Sequence, residues 1–123
     1  MGLDMYAYRV SSDNAISDFE FKEDTGTELT YWRKHHDLHG WMENLYFAKG
    51  GKKEFNCIPV RLTLEDLNKL EEDVETSKLP ETSGFFFGHN PPDDESLAKD
   101  MDFILLAREA IEAGDAVYYD SWW

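Results

Sequence analysis

The opening stretch MGLDMYAYRV limits the fold more than any other part of the chain. Read as an extended strand, it sets Tyr6, Tyr8 and Val10 on one face and Leu3, Met5 and Ala7 on the other. Both faces are apolar, so the strand belongs inside a sheet rather than at its edge. The rest of the chain is read against that interior strand.

The polar run SSDNAIS reads as a turn, and Asp18 to Lys22 alternates Phe19 and Phe21 with charges, as a short second strand pairing back would. From Thr27 or Glu28 to about Phe47 the spacing predicts a helix. Its stripe is Tyr31, His35, Leu38, Trp41 or Met42, and Leu45, with Leu29, Trp32, His36 and His39 on a second flank. Gly40 inside the run weighs against an unbroken helix, and Gly50-Gly51 ends it. Phe55 to Leu62 reads as a strand with Ile58, Val60 and Leu62 on one face, and Pro59 places it at an edge or bulges its start.

Thr63 is expected to cap a helix with Asp66 at its third position and Leu64, Leu67, Leu70 and Val74 on its face, ending before Pro80. The segment TSGFFFGHNPP matches neither period. A last helix starts near Asp93–Ser96, buries Leu97, Met101, Ile104, Leu105 and Ile111, and stops at Gly114. Ala116 to Trp123 alternates as a closing strand. The expected architecture is α+β: one domain, 1–123, with a small, mainly antiparallel sheet covered by about three helices and no internal repeat.

With 123 residues, 41% of them hydrophobic and 15% aromatic, the chain can build one core despite a net charge of −14. That charge is uneven. Residues 1–32 carry −5, residues 33–61 carry +3 and residues 62–123 carry −12. Such a field repels a phosphate backbone and excludes nucleic acid as a general partner. No apolar run approaches the roughly 18–20 residues of a membrane span, so no membrane partner is expected. The start lacks the pattern of a secretory signal, and Tyr6 stands where a myristoylation signal wants Ser or Thr. Cys57 is the only cysteine, which leaves no intrachain disulfide and no Cys-based zinc site. A cytoplasmic protein with Cys57 as a small core residue is the expectation.

Four stretches point to a common pattern: MGLDMY, ELTYWRKHHDLHGW, LPETSGFFFG and YYDSWW. Together they resemble a family of small phage and prophage proteins that open with MGLDMY. That family carries a YWRK helix with a His and an aromatic further along, then GFFFG and a Ser-Trp end. The resemblance spans the chain and falls on Tyr31, Trp32, Arg33, Lys34, His39 and Trp41, on Gly84 to Gly88, and on Ser121 and Trp122. It implies a phage origin, the host cytoplasm and a working surface, but no reaction, since the family has no established activity. Some members carry a phosphoglycerate kinase label. This chain has neither a phosphate-binding glycine loop nor room for two lobes, so the label does not transfer. The run His35-His36-Asp37-Leu38-His39 is richer in His than the family pattern.

Of the groups that could carry chemistry, His35 and His39 stand four apart, a spacing for two metal ligands on one helical face. A third would have to come from Asp37, Glu43 or His89, and without one the bland reading, plain helix histidines, leads. On a helix, Trp32 and His39 would share a face with Arg33 beside it, suited to stacking and anion binding; the alternative has Trp and Tyr in the core and Arg33 paired to Asp37. Phe85, Phe86 and Phe87 form either a partner platform or a strand buried on both faces. Glu65 to Glu75 is acidic enough to imitate phosphates, yet a solvated helix face explains it as well. No GxSxG surrounds Ser121, nothing activates Cys57, and no catalytic residue, metal or cofactor is assigned.

The candidate ligand- or partner-binding residues are therefore Tyr31, Trp32, Arg33, His39, Trp41, Phe85, Phe86 and Phe87. Three functions compete. The first is a non-enzymatic phage accessory protein that inhibits or redirects a host protein. The second is a small-ligand, nucleotide-type binder, and the last is a small His-dependent enzyme.

Overall fold

The computed structural model describes residues 2–76 and 94–123. Strand β1 (Asp4–Val10) is followed by a 3-10 turn (Ser12–Asn14), a hairpin of β2 (Ala15–Ser17) and β3 (Glu20–Phe21), and strand β4 (Thr27–Arg33). Helix α1 (His36–Ala48), strand β5 (Val60–Leu62), helices α2 (Leu64–Glu75) and α3 (Asp94–Glu112), and strand β6 (Ala116–Trp122) complete the order. The main sheet runs β4-β1-β6-β5 with every pair antiparallel, and β2 and β3 form a separate two-stranded sheet. The α+β architecture read from the sequence is the one observed.

β1 lies inside the sheet, as its two apolar faces require. Its Leu3–Met5–Ala7 face is buried. There it meets Trp32 of β4, Val117 and Tyr119 of β6, and Val60 and Leu62 of β5 in one core with the helices. Leu38 and Met42 come from α1, Leu67 and Leu70 from α2, and Phe103, Ile104 and Ala107 from α3. On the opposite face Val10, Ala116 and Tyr118 form a smaller cluster under Phe21 of the β2–β3 hairpin. Tyr118 ties the hairpin down by donating its hydroxyl to Ser17 O at 2.6 Å and Glu20 O at 3.2 Å.

α2 starts where the sequence places it. Thr63 Oγ1 accepts Asp66 N–H at 3.2 Å and Asp66 Oδ2 accepts Thr63 N–H at 2.9 Å, a full capping box. The helix ends at Glu75, before Pro80, but Leu64 is exposed and only Leu67, Leu70 and Val74 of its expected face are buried. Arg108 of α3 forks onto Glu71 at 2.7 and 3.1 Å and reaches Asn68 Oδ1 at 2.8 Å, fixing α3 against α2.

Several expectations are corrected. The single helix from Thr27 to Phe47 is a strand, β4, and then a helix, α1, so the YWRK run is extended rather than helical. The break is Lys34, whose φ of 58° is left-handed and whose N–H donates to Leu3 O at 2.9 Å. Arg33 therefore has no helical turn on which to meet Asp37; its Nε lies 4.0 Å from Asp4 Oδ1.

The strand expected over Phe55–Leu62 is confined to Val60–Leu62, because Cys57 adopts a φ of 61° ahead of Pro59. It is an edge strand, as Pro59 suggests. Cys57 itself is exposed, not a core residue. Within Asp18–Lys22 the short strand is Glu20–Phe21, and it pairs back on β2, which lies in the SSDNAIS run read as a turn. In α3 the buried stripe is Asp100, Phe103, Ile104, Ala107 and Ala110, which leaves Leu97 and Leu105 exposed and Met101 and Ile111 half-buried. The GFFFG segment lies outside the described residues. Among the described residues no helix is long and apolar enough to cross a membrane.

Candidate functional site: the open face of the sheet

Strand alternation divides the residues of β4, β1 and β6 between two faces. The core side takes Trp32, Met5 and Ser121, while the other side receives three cross-strand rows. Arg33, Asp4 and Trp122 form the first row; Tyr31, Tyr6 and Asp120 the second; and Glu28, Tyr8 and Tyr118 the third. The hairpin covers the Tyr118 end, and the three helices pack on the far side. What is left is an aromatic surface edged with charge.

The rings form a continuous ladder. Tyr31 and Tyr6 lie with centroids 5.2 Å apart, Tyr6 and Tyr8 stack at 6.0 Å, Tyr8 meets Phe21 at 5.9 Å and Phe21 meets Tyr118 at 4.9 Å. Trp122 is 62% exposed and Tyr31 37%. An indole that far into solvent on a regular strand contributes little to the core and is costly to leave uncovered. Tyr31 donates its hydroxyl to Asp4 Oδ1 at 2.6 Å, a bond that raises the phenol pKa, and burial and neighbouring acids raise those of Tyr6 and Tyr8. All three stay protonated hydrogen-bond donors at neutral pH.

At its hairpin end the open face deepens into a cleft of about 510 Å³. The rings of Tyr8, Phe19 and Phe21 form part of its wall. Among the described residues, four carboxylates line it, Glu20, Glu23, Asp24 and Asp120, and no Lys or Arg does. Burial pushes the Asp120 carboxyl up to about 6, against the pull of the Ser121 N–H that donates to its Oδ1 at 2.8 Å. Among the described residues no Lys or Arg forms an ion pair with it. Cys57 also borders the cleft, but slight desolvation of its largely exposed thiol and the nearby Asp120 raise the thiol pKa, the reverse of what a nucleophilic cysteine needs. A second hollow of about 500 Å³, near the start of α2, has no aromatic ring on its walls among the described residues.

The residues singled out in the sequence part company here. Tyr31 and Arg33 stand on the open face. Trp32 is buried and donates its indole N–H to Asp100 Oδ1 at 3.0 Å. Trp41 is buried and donates to Asp73 Oδ2 at 2.8 Å. His39 is buried, hydrogen-bonded through Nδ1 to the Tyr119 hydroxyl at 2.8 Å and stacked on Phe55. Burial, with His36 nearby, pushes its imidazole down to about 4, so it is neutral near pH 7.

His35 turns elsewhere, its Nε2 2.8 Å from Asp100 Oδ2. The two histidines thus serve separate hydrogen bonds. Among the described residues no group of three or more His, Cys, Asp or Glu is placed to hold a metal ion. Phe85, Phe86, Phe87 and His89 lie outside the described residues.

Asp4, Tyr6, Tyr8 and Asp120 were not among the candidates. The signal for them is the alternation Asp4-Tyr6-Tyr8 against Tyr118-Asp120-Trp122, which becomes a surface only once β1 and β6 are known to pair. No protein-family model matches this chain, nor does any curated protein or solved structure.

Proposed function

We propose that this is a non-enzymatic binding protein, a phage-encoded accessory factor, that engages a host protein through the open face of its four-stranded sheet. The observation that carries the reading is the exposed pair Trp122 and Tyr31 at one end of the Tyr31–Tyr6–Tyr8 ladder. Aromatic side chains offer large contact area at low conformational cost, and they dominate the centres of protein interfaces. The histidines that would serve a small enzyme are spent on buried structural bonds, and the thiol beside the cleft is not activated. The phage origin rests on the resemblance of the four sequence stretches.

A small-ligand reading draws support from the cleft, whose volume suits a small molecule. Its four carboxylates repel a nucleotide-type anion, which puts that reading second.

The test is affinity capture of the tagged protein from phage-infected host cells, beside a Tyr31→Ser/Trp122→Ser variant. A host protein held by the wild type and lost by the variant is the expected result. Recovery of the same proteins by both would remove the open face from the account.

A further inference from the structure

We infer that the cleft between Tyr8, Phe21 and Asp120 receives a cationic side chain, an arginine or lysine, presented by an extended segment of the protein partner. This rests on the reading of the open face as a binding surface and gives that partner its chemistry.

Three features select a cation. The cleft is concave and large enough for a guanidinium on its stem. Aromatic faces and carboxylates share its wall, the pairing that holds organic cations by ring quadrupole and by charge together. Asp120 is a half-buried carboxyl whose pKa is raised by burial against the pull of the Ser121 N–H, and among the described residues no Lys or Arg ion pair compensates its charge. An incoming cation supplies that compensation.

A protein segment fits better than a free amine because the binding surface does not stop at the cleft. Tyr6 lies directly across from Asp120, and Tyr31 and Trp122 continue the face away from it, so apolar residues beside the basic one have rings to cover. The chain's net charge of −14 favours a basic partner over long range as well.

The experiment uses the full chain and a short fluorescent peptide with one arginine flanked by leucines, titrated at physiological ionic strength. Its twin carries citrulline, the neutral isostere, and free arginine and spermidine are titrated separately. Asp120→Asn and the rim variant Glu23→Gln are compared with Glu109→Gln, an exposed charge on α3 outside the cleft. Melting curves establish which variants are folded, and Glu23→Gln carries the test should Asp120→Asn fail to fold.

The arginine peptide is expected to bind and the citrulline twin to bind roughly tenfold or more weakly, as loss of one close ion pair implies. Asp120→Asn should weaken the arginine peptide by a similar factor, Glu23→Gln by less, and Glu109→Gln not at all. Equal binding of both peptides, or equal loss with Glu109→Gln, overturns the inference in favour of diffuse attraction. Free arginine or spermidine binding as tightly as the peptide would make this a small-amine site instead. Should capture yield a partner that needs Tyr31 and Trp122 while Asp120→Asn and Glu23→Gln retain it, the cation site is wrong and the open-face reading survives. Loss of that partner dependence on Tyr31 and Trp122 would fell the open-face reading itself.

Discussion

Asp120 on β6 lies directly across the ladder from Tyr6 on β1, on the sheet face opposite the helices. One residue earlier on the same strand, Tyr119 points into the core and meets His39. A carboxyl pushed up on β6 and an imidazole of α1 pushed down thus lie on opposite sides of the sheet, and their effects on stability have opposite signs.

The His39 imidazole falls from 6.5 to about 4 on folding, so its contribution is present above pH 6.5 and is lost as the pH drops toward 4. The Asp120 carboxyl rises from 3.8 to about 6, so its contribution is present below pH 3.8 and is lost as the pH climbs through 6. Each is of the order of 3 kcal/mol, and between pH 4 and 6 they offset one another. Asp120→Asn should therefore make the melting temperature fall more steeply than the wild type from pH 7 to 4.5, and His39→Gln less steeply. Parallel curves for all three proteins would refute both assignments.

Thr63→Ala removes the side-chain half of the α2 capping box and should cost about 1 kcal/mol in urea unfolding. Asp66→Ala should cost more. It loses the other half of the box and leaves Lys49, whose Nζ is 2.8 Å from Asp66 Oδ2, without that partner.

Trp32→Phe keeps a ring against Phe103 but withdraws the indole N–H from Asp100, a carboxylate only 2% exposed. The expected loss is roughly 1–3 kcal/mol, the cost of a buried acceptor deprived of its donor. Tyr31→Phe, one residue away on the open face, should change stability far less. Equal costs would contradict the alternation of β4 between core and surface.

Gly51→Ala would place a Cβ 2.3 Å from the Tyr46 ring. That ring is stacked on Phe55 at 4.8 Å and its hydroxyl accepts the Lys53 N–H at 3.1 Å, so it has little room to retreat. Destabilisation of roughly 1–3 kcal/mol is expected, measured by thermal or urea unfolding. A neutral result would mean that the Gly50–Gly51 turn can shift.

Where side chains report burial directly, the fold was legible. The two apolar faces of Leu3–Val10 identified an interior strand, and Thr63 with Asp66 identified the start of α2. The YWRK run misled because Tyr31, His35 and Leu38 also satisfy a helical period, while β4 is an edge strand with an open face and lacks clean apolar alternation. Its boundary is set by the backbone at Lys34, a residue whose left-handed conformation leaves no trace in hydrophobic spacing.

The resemblance points to Tyr31, Trp32, Arg33, His39 and Trp41 alike, and a helix would group Trp32, His39 and Arg33; the extended backbone leaves only Tyr31 and Arg33 of these on the open face. The remainder of the face, Tyr6 and Asp120 above all, depends on the pairing of the first strand with the last. No local pattern encodes that pairing.

Site-specific photo-crosslinking in infected cells tests the central claim most directly. The photoreactive p-benzoylphenylalanine replaces Trp122 in one variant and Leu105, a comparably exposed residue on α3, in another. A discrete adduct with one host protein from position 122, and none from position 105, is the expected result. Adducts from position 105 alone, or the same adducts from both, would contradict the assignment of the open sheet face as the working surface.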